Sequence, residues 1–401
     1  MRSVARGWRV IGAYALVAAG TQVLWLTYAP IDTAAAEHYG VSTAAIGWLA
    51  EIFPLLYVVL ALPAGRLLDF SFRPALAAGG GLVALGGLLR LGGPSFGWAL
   101  AGQTAVAVAQ PVVLNAVSKL AADYLPERER AAGIAVGAGA GFAGMLVALI
   151  LGPTVGGHGQ IERLLVVEAA IAVAAALALA WALRAPAPYE AEERAAIPGS
   201  ALRRLWALPQ MRTMAALVFV GFGVFVALTT WLQTLLEPAG VSEQTAGALL
   251  AAMLVAGMIG CAVLPPLVDR RGAQATFMRA AVLAAVLGPA LLGLLTPLPV
   301  RAIVIAAMGF ALLPALPVVL TAAERLAGVA AAGTAAAIVW LAGNLGGLVV
   351  ALLVQALIHH PTTAFIVMAA VALPALPLAR RFPSTPPLAV ASVPCGSPPG
   401  T

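Results

Sequence analysis

Charge is what this sequence has least of. Asp, Glu, Lys and Arg together make up 9% of its 401 residues, where a soluble domain carries about a quarter. Such a chain cannot clothe a water-facing surface. Its two cysteines, Cys261 inside an apolar run and Cys395 near the C-terminus, exclude a disulfide framework. The four histidines, His38, His158, His359 and His360, all fall in short links between apolar runs, which excludes an intramembrane metal site built on imidazole. No Walker-type stretch is present, so ATP-driven machinery is not expected. No nucleophile, base and orienter set stands out either, so the chain does not read as an enzyme and no cofactor is expected. Nor is a cleaved secretory leader, because the first long apolar run follows Arg2, Arg6 and Arg9 and is too long for a signal h-region.

What the chain has in abundance is apolar surface, with 62% hydrophobic residues and a mean hydropathy of +0.99. A helix needs about 20 apolar residues to cross a bilayer. Twelve such runs lie near 10–31, 42–68, 74–91, 96–122, 130–152, 161–183, 211–236, 243–268, 275–295, 298–322, 329–357 and 361–379. The third, sixth, ninth and twelfth are shorter and blander. This predicts an all-α integral membrane protein whose surroundings are the lipid bilayer. The sequence pI near 9.9 reflects that membrane rather than a nucleic acid. With the N-terminus in the cytoplasm, every Lys and Arg except Arg90, Arg163 and Arg301 falls on a cytoplasmic end or link, as the positive-inside rule requires. An even number of spans then places both termini in the cytoplasm, for a multi-pass protein of the cell membrane. Residues 1–183 and 211–379 read as two six-helix bundles, 184–210 as a cytoplasmic linker, and 380–401 as a proline-rich disordered tail. Within the linker, ALRRLWAL is expected to lie flat at the interface, with Leu202, Leu205 and Trp206 down and Arg203 and Arg204 towards headgroups.

The two bundles repeat one another. PVVLNAVSKLA at 111–121 returns as PVVLTAAERLA at 317–327, ending the fourth and tenth runs. LPAGRLLD at 62–69 returns as LPPLVD at 264–269, and AAGIAVGAGAG at 131–141 as AAGTAAAIVWLAG at 331–343. Three corresponding pairs in one order mark a duplicated unit. Each PVVL copy ends in charge (Lys119, or Glu324 with Arg325) because its helix reaches the cytoplasm there. Two parallel six-helix repeats related by a pseudo-twofold axis along the membrane normal are similar to the major facilitator superfamily. The GRLLDFSFR stretch, with Gly65, Asp69 and Arg73, resembles the cytoplasmic signature of that superfamily, and Asp269 and Arg270 stand at the corresponding place in the second half. The resemblance implies a gate whose charged contacts exist in only one of two rocking states.

A narrower resemblance rests on WLTYAPI from Trp25, WLAEIFPLLYVVLALPAGRLLD from Trp48 to Asp69, AQPVVL in the fourth run and AGALLAAMLVAGMIGCAVLPPLVD in the eighth. Together these resemble the feline leukaemia virus subgroup C receptor-related carriers, among which choline and ethanolamine transport is assigned to some members and haem export was proposed for others. The likeness implies a central cavity in which a tryptophan, a glutamine and a tyrosine surround a quaternary ammonium. Trp25 and Gln110 match the first two. Where the family has tyrosine in the seventh helix, this chain has Phe225 and Val226, which leaves a ring face but no phenol.

Polar side chains inside spanning runs usually face the bundle interior. Gln22, Trp25 and Tyr28 share a face of the first helix by their three-residue spacing, Gln103 and Gln110 share one on the fourth, and Trp340 and Asn344 one on the eleventh, while Trp231 lies late in the seventh. Amides and rings on these four helices suit an organic solute with an apolar body and a small polar or cationic part. The competing reading makes them interhelical hydrogen bonds and interfacial aromatic belts. Glu51, unpaired within its helix, either carries a proton or faces a cation, or else stays hydrated near the outer mouth. Glu168, on a peripheral helix, reads as an ordinary shallow carboxylate. Gly133, Gly137 and Gly141 form a packing face. LGPTVGG at 151–157 resembles a signature of proton-coupled drug exporters and also reads as a simple helix-ending turn.

The expected function is secondary transport of a small organic cation or amine such as choline by a monomer, through alternating access, without nucleic acid. A proton-coupled exporter of amphiphilic compounds is the alternative, and a non-transporting receptor or scaffold a third.

Overall fold

Lipid offers a backbone no hydrogen-bond partner, so a chain this apolar must close its backbone bonds within each segment. Among the described residues it does so with twelve helices long and apolar enough to cross a membrane. The computed structural model describes residues 2–156, 160–189, 201–295 and 297–382; residues 190–200 of the expected linker and the tail beyond Phe382 lie outside these. The spans are α1 (Ala5–Ile31), α2 (Ala45–Phe70), α3 (Phe72–Leu89), α4 (Phe96–Tyr124), α5 (Glu127–Val155), α6 (Ile161–Ala182), α7 (Pro209–Ala239), α8 (Thr245–Arg270), α9 (Gln274–Leu294), α10 (Leu298–Ala327), α11 (Val329–Gln355) and α12 (Pro361–Arg380).

Local chemistry sets the ends. Gly40 and Gly240 close the links before α2 and α8 with φ of 64° and 76°, values glycine adopts without a Cβ penalty. Ser42 and Ser242 then accept the backbone N–H of Ala45 and Thr245 and cap the two helices. The triplet GVS at 40–42 and 240–242 is thus a fourth repeated pair, too polar to register in a search for apolar periodicity. Proline breaks two spans. Pro314 separates Leu298–Leu312 from Ala315–Ala327 in α10, and Pro374 separates Pro361–Ala372 from Ala375–Arg380 in α12, each lacking the N–H that would continue the ladder. The halves differ before their second span. A short helix, Asp32–Tyr39, stands where the second half has the three-residue turn Glu237–Ala239.

Packing follows the repeat. α1 lies on α5, α2 on α4, and α3 on α4 and α6; correspondingly α7 lies on α11, α8 on α10, and α9 on α12. The shorter spans α3, α6, α9 and α12 make their principal contacts within their own set of six. Two large contacts cross between the sets, α2 with α11 and α5 with α8, and a pseudo-twofold exchanges one for the other. α10 makes its main contacts with α4 and α5 through its Ala315–Ala327 half. That half lies at the end of the molecule bearing Arg66, Lys119, Arg130 and Arg325, here called the basic end. α11 reflects the same asymmetry. Residues 332–340 are buried all round, whereas Leu345, Leu348, Val349, Leu352 and Leu353 are exposed. The two bundles therefore close on each other at the basic end and part at the far end.

In the linker helix Ala201–Ala207, Leu205 is buried on the side of α7 and α11, and Arg203, Arg204 and Trp206 are exposed.

Glu168 overturns its reading as a shallow carboxylate. It is wholly buried, 3.0 Å from the Arg90 guanidinium, and accepts a 2.7 Å hydrogen bond from Thr27, which in turn accepts one from Arg90 at 2.8 Å. The triad ties α1, the end of α3 and α6 together. Sequence gave no warning because the partners are far apart in the chain and each looks isolated. Breaking such a buried pair by removing one member costs about 3–5 kcal/mol. Beside it, Tyr28 and Tyr39 share a 3.1 Å hydroxyl contact, and burial pushes the Tyr39 phenol above its ordinary range.

Glycine sets the closest helix approaches. A Cβ at Gly144 of α5 would strike the backbone of Ala19 in α1, and one at Gly346 of α11 the backbone of Phe219 in α7. The two approaches belong to corresponding helix pairs, α1–α5 and α7–α11. Gly12 of α1 has open space beside it. Gly144→Ala and Gly346→Ala are each expected to lower stability by about 1–3 kcal/mol through overpacking, while Gly12→Ala leaves it unchanged. Thermal unfolding of the three variants in detergent measures the difference.

Candidate functional site

The face between the bundles carries a chain of five rings. Tyr57 of α2 lies 6.2 Å from Trp340 of α11, Trp340 5.9 Å from Phe222 of α7, Phe222 5.6 Å from Phe225, and Phe225 5.8 Å from Phe142 of α5. These separations suit offset and edge-to-face contacts. Tyr57 is fixed from behind, donating to Asn115 Oδ1 at 2.8 Å, while Asn115 donates to Ala61 O at 2.9 Å. The sequence reading had singled out Trp340 and Phe225 but not Tyr57, Asn115, Phe142 or Phe222. Asn115, an amide inside a spanning run, was the available signal.

Depth within the first bundle can be read from its bonds. Gln103 to Leu49 O at 3.4 Å and Asn115 to Ala61 O both join residues 54 apart, so α4 and α2 run in one register and Gln110 stands level with Leu56. Trp25 reaches the same zone, donating from Nε1 to Ala50 O at 2.9 Å with its ring 6.1 Å from Phe53. Gln110 is buried but forms no hydrogen bond with a described group. Trp340 Nε1 is likewise buried without a partner. Unengaged polar groups at this depth are costly.

The remaining candidates separate into groups. Gln22 is buried, donates to Thr21 at 3.2 Å and lies against Gly141 of α5. Tyr28 does not share the exposure of Trp25, being buried with Tyr39 under the short helix. Gln103 is wholly buried in its bond to α2. Trp231 donates to Ala351 O at 3.0 Å and joins α7 to α11. Asn344 donates to Trp340 O within its own helix at 2.9 Å. Glu51 is exposed and forms no ion pair or hydrogen bond with a described group.

Polar contacts across the bundles are confined, among the described residues, to the basic end. Asp69 accepts from Gly333 N at 2.7 Å, from Thr334 N at 2.8 Å and from the Thr334 hydroxyl. Its carboxylate thus sits at the start of α11, where the helix dipole favours it. Gly65 lies against Gly333 and Ala337 and has no room for a side chain. Arg130 of α5 pairs with Glu324 of α10 at 3.1 Å, and Lys119 donates to Val329 O at 3.3 Å. Arg73 holds its guanidinium 6.0 Å above the Tyr124 ring. In the second half the geometry changes. Asp269 is held within its own bundle by Arg325, at 2.9 Å to Oδ2, and by Gln274 at 3.2 Å, while Arg270 is exposed.

Comparison with known proteins agrees with this architecture. The sequence pattern of the Major Facilitator Superfamily matches residues 10–351. The chain is 29% identical over 281 residues to Solute carrier family 49 member A3 of Danio rerio, covering 66% of this chain and 59% of that protein. It is 27% identical over 154 residues to the human Choline/ethanolamine transporter FLVCR2, covering 37% of this chain and 29% of that one. The chain spans about three fifths of the length of the first of these relatives. In fold it is similar to the human organic anion transporter MFSD10, with a TM-score of 0.76 and 17% identity over 93% of this chain and 99% of that one. The Escherichia coli fucose:proton symporter FucP follows at 0.72 and 16%, over 94% and 100%. The duplicated six-helix bundles, the contacts closed at one end and the match over most of the sequence lead to one conclusion: this chain is a multi-pass membrane protein belonging to the Major Facilitator Superfamily, whose members are transporters rather than enzymes.

Proposed function

We propose that this protein is a monomeric secondary carrier of the cell membrane that moves a small organic cation, with choline or ethanolamine as the leading candidate, by alternating access between its bundles. The observation that carries the reading is Gln110, a buried amide unengaged by any described group, which the α4–α2 register sets level with Leu56, one residue from Tyr57 and three from Phe53 in α2. Ring faces attract a quaternary ammonium, and Gln110 offers a partner to the hydroxyl or amine at the other end of such a molecule. The similarity to the choline/ethanolamine transporter FLVCR2 favours the same class. Phe225 stands where that family has tyrosine, which leaves recognition at this point to a ring face alone. The basic end is read as cytoplasmic, together with both termini, from the distribution of Lys and Arg. Asp69, Gly65 and Arg73, with Asp269 and Arg270 in the second half, are read as its gate region, held shut here by the Asp69 contacts and the Arg130–Glu324 pair. The 151–157 turn keeps proton-coupled export of amphiphilic compounds as a second reading.

Transport by rocking requires the α5–α8 contact to change. A Cβ built at Gly139 of α5 stands 3.5 Å from the Cys261 Cβ of α8, within disulfide reach. In Gly139→Cys, oxidation is expected to abolish flux into proteoliposomes and reductant to restore it, with no effect when Cys261 is also replaced by alanine. Flux that persists although the disulfide has formed would remove alternating access at this contact, and absence of flux in the reduced protein would remove the carrier reading.

Ligand identity is tested separately. A ligand that binds only the folded state at a hundredfold excess over Kd raises stability by about 2.7 kcal/mol. Choline is expected to produce a saturable thermal shift in the wild type, reduced in both Trp25→Ala and Gln110→Leu. No shift at millimolar choline, together with efflux driven by an imposed pH gradient, would transfer the assignment to the exporter reading.

A further inference from the structure

Glu51 is the one charged side chain, away from helix ends, in the far-end halves of α1, α2, α4, α5, α7, α8, α10 and α11 among the described residues. Its place on α2 is informative. Glu51 and Asp69 are 18 residues apart, five whole helical turns, so they lie on one face. Asp69 on that face meets the start of α11, and Gly65 meets Gly333 and Ala337. Glu51 therefore belongs to the same α11-facing side, at the end where the bundles have parted. Carrying the antiparallel register outward from the Gly65–Ala337 and Tyr57–Trp340 contacts brings Glu51 level with residues 346–351 of α11.

What α11 would present there is apolar. From Val329 to Gln355 it contains no Lys, Arg, His, Asp or Glu, and its exposed far-end side chains are Leu345, Leu348, Val349, Leu352 and Leu353. The other elements packed against this half of α2 bring no basic group that is free for Glu51. α4 has no charged residue from Phe96 to Gln110, and the far-end half of α1 offers only Tyr28, already bonded to Tyr39. The short helix Asp32–Tyr39 carries Asp32, Glu37, His38 and Tyr39, of which His38 packs edge-on against Tyr39. Arg90 is held by Glu168.

A bare carboxylate closed against leucines is far costlier than one in water. In the open far end Glu51 is exposed and that cost is smaller. We infer that Glu51 makes closure of the far end conditional on a bound positive charge: the bundles meet there only when a monovalent cation, the ammonium of the substrate or a proton, neutralises this side chain. This deepens the carrier reading and rests on it. Because Trp25 is bonded to Ala50 next to Glu51 in the chain, an ammonium held between ring and carboxylate supplies that charge directly. An empty, deprotonated carrier then stays open, which ties the conformational step to loading.

The test is a distance measurement that does not depend on knowing the substrate. Spin labels at Trp48→Cys and Leu352→Cys, both exposed and level across the opening, are attached in a Cys261→Ala, Cys395→Ala background and measured in nanodiscs. At pH 8 without ligand only the long far-end distance is expected. Acidification to pH 5, or choline at pH 8, is expected to add a shorter population. Glu51→Gln should show that population at pH 8 with neither, raising the closed fraction about tenfold, and Glu51→Asp should behave as the wild type. A response to acid but not choline assigns the charge to a proton and removes the amine substrate while the inference stands. A response to choline alone assigns it to the ammonium. If Glu51→Gln gives the wild-type distances at pH 8, or responds to acid and choline as the wild type does, the inference is overturned.

Discussion

A carboxylate between two helical bundles needs donors that water would otherwise supply, and Asp69 takes them from the first residues of α11. The contact works because a helix start has N–H groups without intrahelical partners, and because Gly65 and Gly333 let the two backbones approach. Much else in the structure depends on it. It fixes the basic end of α2 against α11, which draws α4 and the Ala315–Ala327 half of α10 into the same contact zone. With that end joined, two straight, stiff bundles can only diverge towards the other, and the exposure of α11 beyond residue 344 follows from this divergence.

The repeat explains the fold but not the polar contacts. Gly333 and Thr334 correspond to Gly133 and Ile134, so the α5 start lacks the hydroxyl that completes the Asp69 site. Lys119 corresponds to Arg325, whose forked guanidinium holds Asp269 inside its own bundle. Ser118 corresponds to Glu324, and it is Glu324 that reaches across, to Arg130. One ancestral arrangement has thus become two different fasteners: a carboxylate on helix N–H groups in one place, an ion pair in the other. Each is sheltered from water, where such hydrogen bonds to charged groups count for about 1.5–3 kcal/mol.

The span pattern was legible from composition because lipid imposes one rule on every spanning segment. The repeat was legible too, through PVVL, LP…D and AAG, since duplicated contact surfaces preserve small and helix-ending residues. Identity alone did not disclose partners. Glu168 and Arg90 each looked like an isolated charge, and only the meeting of α3 with α6 makes them a pair. Tyr28 shares the spacing of Trp25 but not its surroundings, because the chain leaves the α-helix at Trp25 and continues into a 3-10 turn at Ala29–Ile31. A three-residue spacing implies a shared face only while the helix lasts. Gln103 and Gln110 show the same limit. They lie on one face by spacing, yet a bond to Leu49 O takes up the first and leaves the second unengaged.

The two ends of the protein are balanced by unlike forces. At the basic end, closure is held by the Asp69 contacts, the Arg130–Glu324 pair and Lys119 on Val329 O. At the far end, closure would bring Leu348 and Leu352 of α11 towards Trp48 and Ile52 of α2, an apolar gain that the carboxylate of Glu51 on the same face opposes. The empty protein therefore has a polar reason to close at the basic end and, in Glu51, a polar reason not to close at the other. A ligand can shift that balance only by as much as it favours one state over the other, so in the proposed carrier the free energy needed to break the basic-end contacts would come from contacts made at the depth of Trp25, Gln110 and Trp340. In this chain the scarcity of charge places nearly all of the conformational preference in a few polar groups, and leaves the substrate as the partner able to offset them.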